Sequence, residues 1–213
     1  MARLALRPDD VLLVVDVQND FCPGGALPVH RGDEIVPVVN RLMPRFRHVV
    51  LTQDWHPRGH VSFASSYAGK KPYDVIEVAY GEQVLWPDHC VPGTEGAAFH
   101  SALDTTRAQA IIRKGYHLEV DSYSAFYEND RKTPTGLGGY LRERGLRRIF
   151  LSGLAMDFCV HWSALDARRE GFEVVVVEDA TREIDLEGSA ERAWRAMAEA
   201  GARRHHHEEL AAP

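Results

Sequence analysis

The sequence predicts an α/β fold of three layers, a mostly parallel sheet with helices on both faces. Two observations carry this. Five short runs of Val, Ile and Leu are mostly continuous rather than alternating, as strands covered on both faces are. Helical stretches lie between or after several of them, and strands alternating with helices build parallel sheets.

The strands are expected over residues 11–15, 48–52, 110–113, 148–152 and 173–178. Helices are expected over 33–46, with Pro37 in its first turns, and over 136–144, stopped by Gly145. A third, over 157–170, has Asp157 as candidate cap and Gly171 as stop; a fourth, over 186–200, ends at Gly201. Residues 53–109 break the rhythm. They are rich in Pro, Gly, Ser, His and aromatic residues and show no sustained period. Irregular segments of this length tend to be functional. No repeat or boundary divides the chain, so residues 1–213 are expected to form one domain.

Composition excludes several function classes. An apolar fraction of 45% with 26% charged residues is that of a globular protein rather than a disordered one. A net charge of −6 gives no basic footprint for nucleic acid or an anionic membrane. No apolar run reaches the roughly 20 residues of a membrane helix, and the N-terminus lacks the apolar core of a signal peptide. The expected location is the cytoplasm. Cys22, Cys90 and Cys159 are odd in number and form no CxxC pair, so they are expected as free thiols. His205, His206 and His207 read as a polar tail with no assigned role.

In an open parallel sheet, ligands bind beyond the carboxyl ends of the strands. Asp16 follows the first predicted strand, Asp54 and His56 the second, Lys114 the third, and Cys159 lies a few residues past the fourth. A thiol near a helix N-terminus has its thiolate favoured by the helix dipole. The same N–H groups can hold an oxyanion. The bland alternative is a small buried apolar residue. Asp16 would accept the thiol proton, and Lys114 would keep that carboxylate ionised; the alternative is a structural ion pair across strand ends. Asp54-Trp-His56, with the distant His89, suits Zn²⁺, Fe²⁺ or Mn²⁺, although such a triplet alone is more often surface hydrogen bonding. Spacing leaves His60 open as ligand, outer partner or substrate contact.

Five stretches together resemble the nicotinamidase (pyrazinamidase) branch of the isochorismatase-like cysteine hydrolases. They are DVQNDF (16–21), QDWHPRGHVSFAS (53–65), WPDHCVPGTEGAAFH (86–100), KGYHLEVDSYSAF (114–126) and SGLAMDFCV (152–160). The resemblance implies a six-stranded sheet of Rossmann-like topology and hydrolysis of nicotinamide to nicotinate and ammonia through a Cys thioester. Pyrazinamide is an expected second substrate. It implies a triad of Asp16, Lys114 and Cys159, and a divalent metal, Zn²⁺ first with Fe²⁺ or Mn²⁺ as alternatives, at Asp54, His56 and His89. His60 is a further ligand in some relatives. It also implies a cis peptide before Ala155, an oxyanion hole from the N–H groups of Ala155 and Cys159, and Phe21 and Trp86 flanking the ring. Phe158 varies among relatives, which form monomers and dimers, so a homodimer stays open. The competing readings are a metal-centred hydrolase, a sibling acting on ureido or carbamoyl substrates, and a binding module that kept the fold.

Overall fold

A computed structural model describes residues 3–211. Six strands form the main sheet: β1 (Asp10–Val15), β2 (His48–Asp54), β3 (Ala110–Lys114), β4 (Arg148–Leu154), β5 (Glu173–Arg182) and β6 (Arg203–His205). Their spatial order is β3-β2-β1-β4-β5-β6, and every neighbouring pair is parallel. Strand order reverses between β1 and β4, which makes their carboxyl ends the topological switch point where ligands bind in such sheets.

All six residues of β1 are buried, which explains its unbroken apolar run. Leu12 and Val14 face one cluster, which includes Val36, Val39 and Leu42 of helix α1 (Val36–Leu42). Val11, Leu13 and Val15 face the other cluster. There they join residues of α2 (Leu137–Glu143), α3 (His161–Arg169) and α4 (Ser189–Glu199). Three layers result. Each fully buried Val or Leu contributes about 1.5–3 kcal/mol, so the strands that present the site are also the most firmly held. The five strands expected from the apolar runs are all present.

Four local expectations change. The stretch expected as a helix over 33–46 is α-helical only over Val36–Leu42, flanked by 3₁₀ turns. Pro44 sits in the second of these, and without an N–H it cannot continue the α ladder. The third helix begins with a π-helical turn, Met156–Val160, and Asp157 caps nothing in it. Its carboxylate instead accepts N–H bonds from Ile184 and Asp185. The His205–His207 tail does have a structural part, because His205 closes β6 and pairs with Val177. Arg203 and Arg204 make it a charged edge strand, the kind that resists sheet-to-sheet association. Finally, the irregular segment contains an antiparallel hairpin, Val75–Val78 with Gly81–Val84.

At the opposite end of the sheet, Arg148 and Asp10 form a buried two-pronged ion pair, with contacts of 2.7 and 2.6 Å. No described helix is long and apolar enough to cross a membrane.

Candidate active site

Strand ends bring the expected residues together. Asp16 is the first residue beyond β1, with a left-handed φ of 47° that Asp tolerates better than most residues. Asp54 and Lys114 are the last residues of β2 and β3 and are partners in register, so their side chains leave the sheet side by side. Cys159 lies in the π-helical turn beyond β4. The Leu154–Ala155 peptide is cis, as the resemblance implied.

The Lys114 ammonium is the hub. It lies 2.9 Å from Asp16 Oδ2, 2.5 Å from Asp54 Oδ1 and 3.5 Å from Cys159 Sγ, and it donates to the Ser122 carbonyl at 2.9 Å. Asp16 and Lys114 are both fully buried, Cys159 nearly so. Thr52 donates its hydroxyl to Asp16 Oδ1 at 2.6 Å. Asp16 Oδ2 has no well-directed hydrogen bond beyond the ammonium contact, which leaves it free to take a proton.

Burial dominates the electrostatics. It lifts the Cys159 thiol well above its usual range, with Lys114 opposing and Asp16 adding to the rise. This rise opposes the thiolate that a helix N-terminus was expected to favour. Burial also raises Asp16 against the pull of Lys114, with Asp54 reinforcing the rise. Lys114 remains a cation: burial works against its charge, but Asp16 and Asp54 outweigh it and hold the ammonium well above the usual lysine range.

Asp54, His56 and His89 form a second buried group whose ligand atoms lie within 4.8 Å of one another. His56 Nε2 is 3.2 Å and His89 Nε2 3.8 Å from Asp54 Oδ2. Each imidazole engages its other nitrogen with a backbone carbonyl: His56 Nδ1 with Gly115 at 2.9 Å, His89 Nδ1 with Pro87 at 2.7 Å. Such outer partners fix the tautomer and aim Nε2 at a metal. Burial, aided by His56, lowers His89 to about 4. A neutral imidazole is the form that binds metal. One carboxylate and two imidazoles whose Nε2 atoms converge on Asp54 Oδ2 form a donor set that fits a divalent cation.

His60 belongs to a neighbouring set with His56 and Asp121. Its ring stacks on His56 at 4.3 Å between centroids, Nδ1 meets Ser62 Oγ at 2.8 Å and Nε2 meets the Val120 carbonyl at 3.3 Å.

A cavity lies over these groups, lined among others by Phe21, Trp86, Ala155, Phe158 and Cys159. Asp54, His56 and His89 reach it too, so the thiol and the candidate metal group share one chamber. Two further lining residues, Asp121 and Tyr123, were not singled out from the sequence. Tyr123 accepts the Trp86 indole N–H at 3.2 Å, and Asp121 accepts from Gln83 at 2.8 Å. Both lie in the 114–126 stretch that carried the resemblance, which was the available signal.

The switch-point sheet and the acid, ammonium and thiol gathered at its edge define an isochorismatase-like α/β hydrolase. The chain belongs to the isochorismatase family, whose domain model matches residues 10–209. A nicotinamidase of Acinetobacter baylyi is 53% identical over 202 residues, covering 95% of this chain and 94% of that protein. The structure resembles PnC1 from L. infantum, solved in complex with nicotinate, at a TM-score of 0.87 and 38% identity, with both chains fully covered. It also resembles the pyrazinamidase of Pyrococcus horikoshii, solved in complex with zinc, at a TM-score of 0.76 and 37% identity, over 93% of this chain and 99% of that one.

Proposed function

We propose that this chain is a nicotinamidase, hydrolysing nicotinamide to nicotinate and ammonia, with pyrazinamide as a second substrate. The observation that carries the proposal is the shared chamber. A nucleophilic thiol and a carboxylate–imidazole group open onto one cavity lined by Phe21, Trp86 and Phe158, whose aromatic faces suit a flat azine carboxamide. Relatives named as nicotinamidase and pyrazinamidase support the same substrate.

Phe21 and Trp86 hold the ring. Asp16 takes the thiol proton as Cys159 Sγ attacks the carboxamide carbon, its raised proton affinity suiting it to that task. The Lys114 ammonium, 3.5 Å from Sγ, stabilises the sulfur as its charge develops. The N–H groups of Ala155 and Cys159 receive the oxyanion; one such donor is worth about 100- to 1,000-fold in rate. Asp16 then delivers its proton to the leaving ammonia, and a thioester forms. Water, deprotonated by Asp16, attacks the thioester carbon; the C–S bond breaks to release nicotinate, and Asp16 returns the proton to Cys159 Sγ. Asp54, His56 and His89 would hold a divalent metal, with Zn²⁺ favoured by the pyrazinamidase relative solved in complex with zinc. When bound, it supplies a Lewis-acidic anchor for the substrate.

Ammonia release from nicotinamide, measured with and without chelator and iodoacetamide, tests the proposal. Loss on alkylation is expected. Activity that survives alkylation but not chelation would favour a metal-centred hydrolase. No release at all from nicotinamide would overturn the reading.

A further inference from the structure

Asp157 lies two residues before Cys159 in the same π-helical turn and is 4% exposed. Its carboxylate turns away from the helix that follows. Oδ1 accepts the Ile184 N–H at 3.0 Å, and Oδ2 accepts the Asp185 N–H at 2.8 Å and the Ser189 hydroxyl. Both oxygens are thus committed to residues 184–189, the link from β5 to α4.

That link is strained. Asp185 and Glu187 have left-handed φ values of 56° and 50°, a conformation unfavourable for an L residue. Strain of this kind persists only where the surroundings impose it. Ile184, at the head of the link, lines the cavity together with Leu27, Phe158 and Cys159.

We propose that Asp157 is a positioning residue that holds Ile184 in the cavity wall, and that Ile184 sets the largest ring the cavity admits. The inference rests on amide hydrolysis in this cavity. The nucleophile turn and the wall are then one unit. The turn that carries the thiol also fixes the space in front of it, and a loosened Ile184 opens room for a ring substituent. A single methylene group in an apolar pocket discriminates by about 10- to 200-fold.

The test compares kcat/KM for nicotinamide and quinoline-3-carboxamide in the wild type, Asp157→Ala, Ile184→Ala and the double variant. Each single change should raise the quinoline-to-nicotinamide ratio about tenfold or more, mainly through KM. The double variant should gain no more than the larger single one. An unchanged ratio in a folded Asp157→Ala protein makes Asp157 a mere strut and overturns the proposal; so do independent, multiplying effects. If Asp157→Ala does not fold, Ser189→Ala removes one tie and should shift the ratio the same way. Amide hydrogen exchange supplies a readout independent of turnover. The Ile184 and Asp185 amides should exchange faster in the Asp157 or Ser189 variant, and unchanged protection overturns the proposal. A wild type inactive on nicotinamide overturns the functional reading alone, since exchange still reports on the wall.

Discussion

The Lys114 ammonium lies 2.5 Å from Asp54 Oδ1, nearer than the 2.9 Å that separates it from Asp16 Oδ2. One buried cation therefore serves two carboxylates, one in the candidate metal group and one beside the thiol. Separate roles for a triad and a metal site understate this coupling. Charge removed from either side is felt at the other.

Lys114→Met removes the counter-charge that the two carboxylates share. Breaking a buried ion pair by deleting one partner costs about 3–5 kcal/mol. The loss should depend on pH. Without the ammonium, burial and mutual repulsion push both carboxylates upward, Asp16 further above its unfolded value and Asp54 away from its depressed one. A group with a raised folded pKa contributes stability at low pH that is lost as pH rises through that pKa. In the wild type, by contrast, Lys114 and His56 overcome burial and hold Asp54 far below the usual carboxylate range. Urea unfolding of metal-free protein should show a smaller gap between wild type and variant at pH 5 than at pH 8. An equal gap would count against shared counter-charge.

Gly115→Ala should weaken metal binding. Gly115 has φ +66°, and a Cβ there would lie 2.4 Å from His56 Cε1, so the imidazole must leave its seat. Disturbing an outer partner of a metal ligand costs about 10- to 100-fold in affinity. Gly145→Ala is the control, because its φ is +67° with nothing within 4 Å of the added Cβ. Calorimetric Zn²⁺ titration of both apoproteins checks this. Comparable loss in the two variants would show that backbone strain alone is responsible.

Asp10→Ala should destabilise without touching the chemistry. It strands the Arg148 guanidinium, 1% exposed at the end of the sheet remote from Cys159. The expected cost is about 3–5 kcal/mol, read from denaturant midpoints, with kcat of the folded enzyme unchanged. A marked fall in kcat would mean that the strand ends communicate along the sheet.

The parts legible in the sequence were those governed by burial. Val11 through Val15 is a continuous apolar run because both faces of β1 are covered. Asp16 and Lys114 stood out as charges ending apolar strands. β6 left no such mark: it is three residues long and carries Arg203 and Arg204 on a sheet edge. Asp157 had the residue type and position of a cap, but the π-helical turn directs its carboxylate to Ile184 and Asp185. The pairing of Lys114 with Asp54 depends on the register between β2 and β3, and strand register cannot be read from either segment alone. The raised Cys159 thiol was hidden for a related reason. Position along a helix was visible, but the depth of burial that raises the thiol was not.

The account stands on Cys159 as nucleophile, and Cys159→Ala tests it most directly. Ammonia release from nicotinamide should fall to background, while Zn²⁺ and nicotinate still bind by calorimetry with near wild-type affinity. Substantial turnover by the alanine variant would contradict the thioester route.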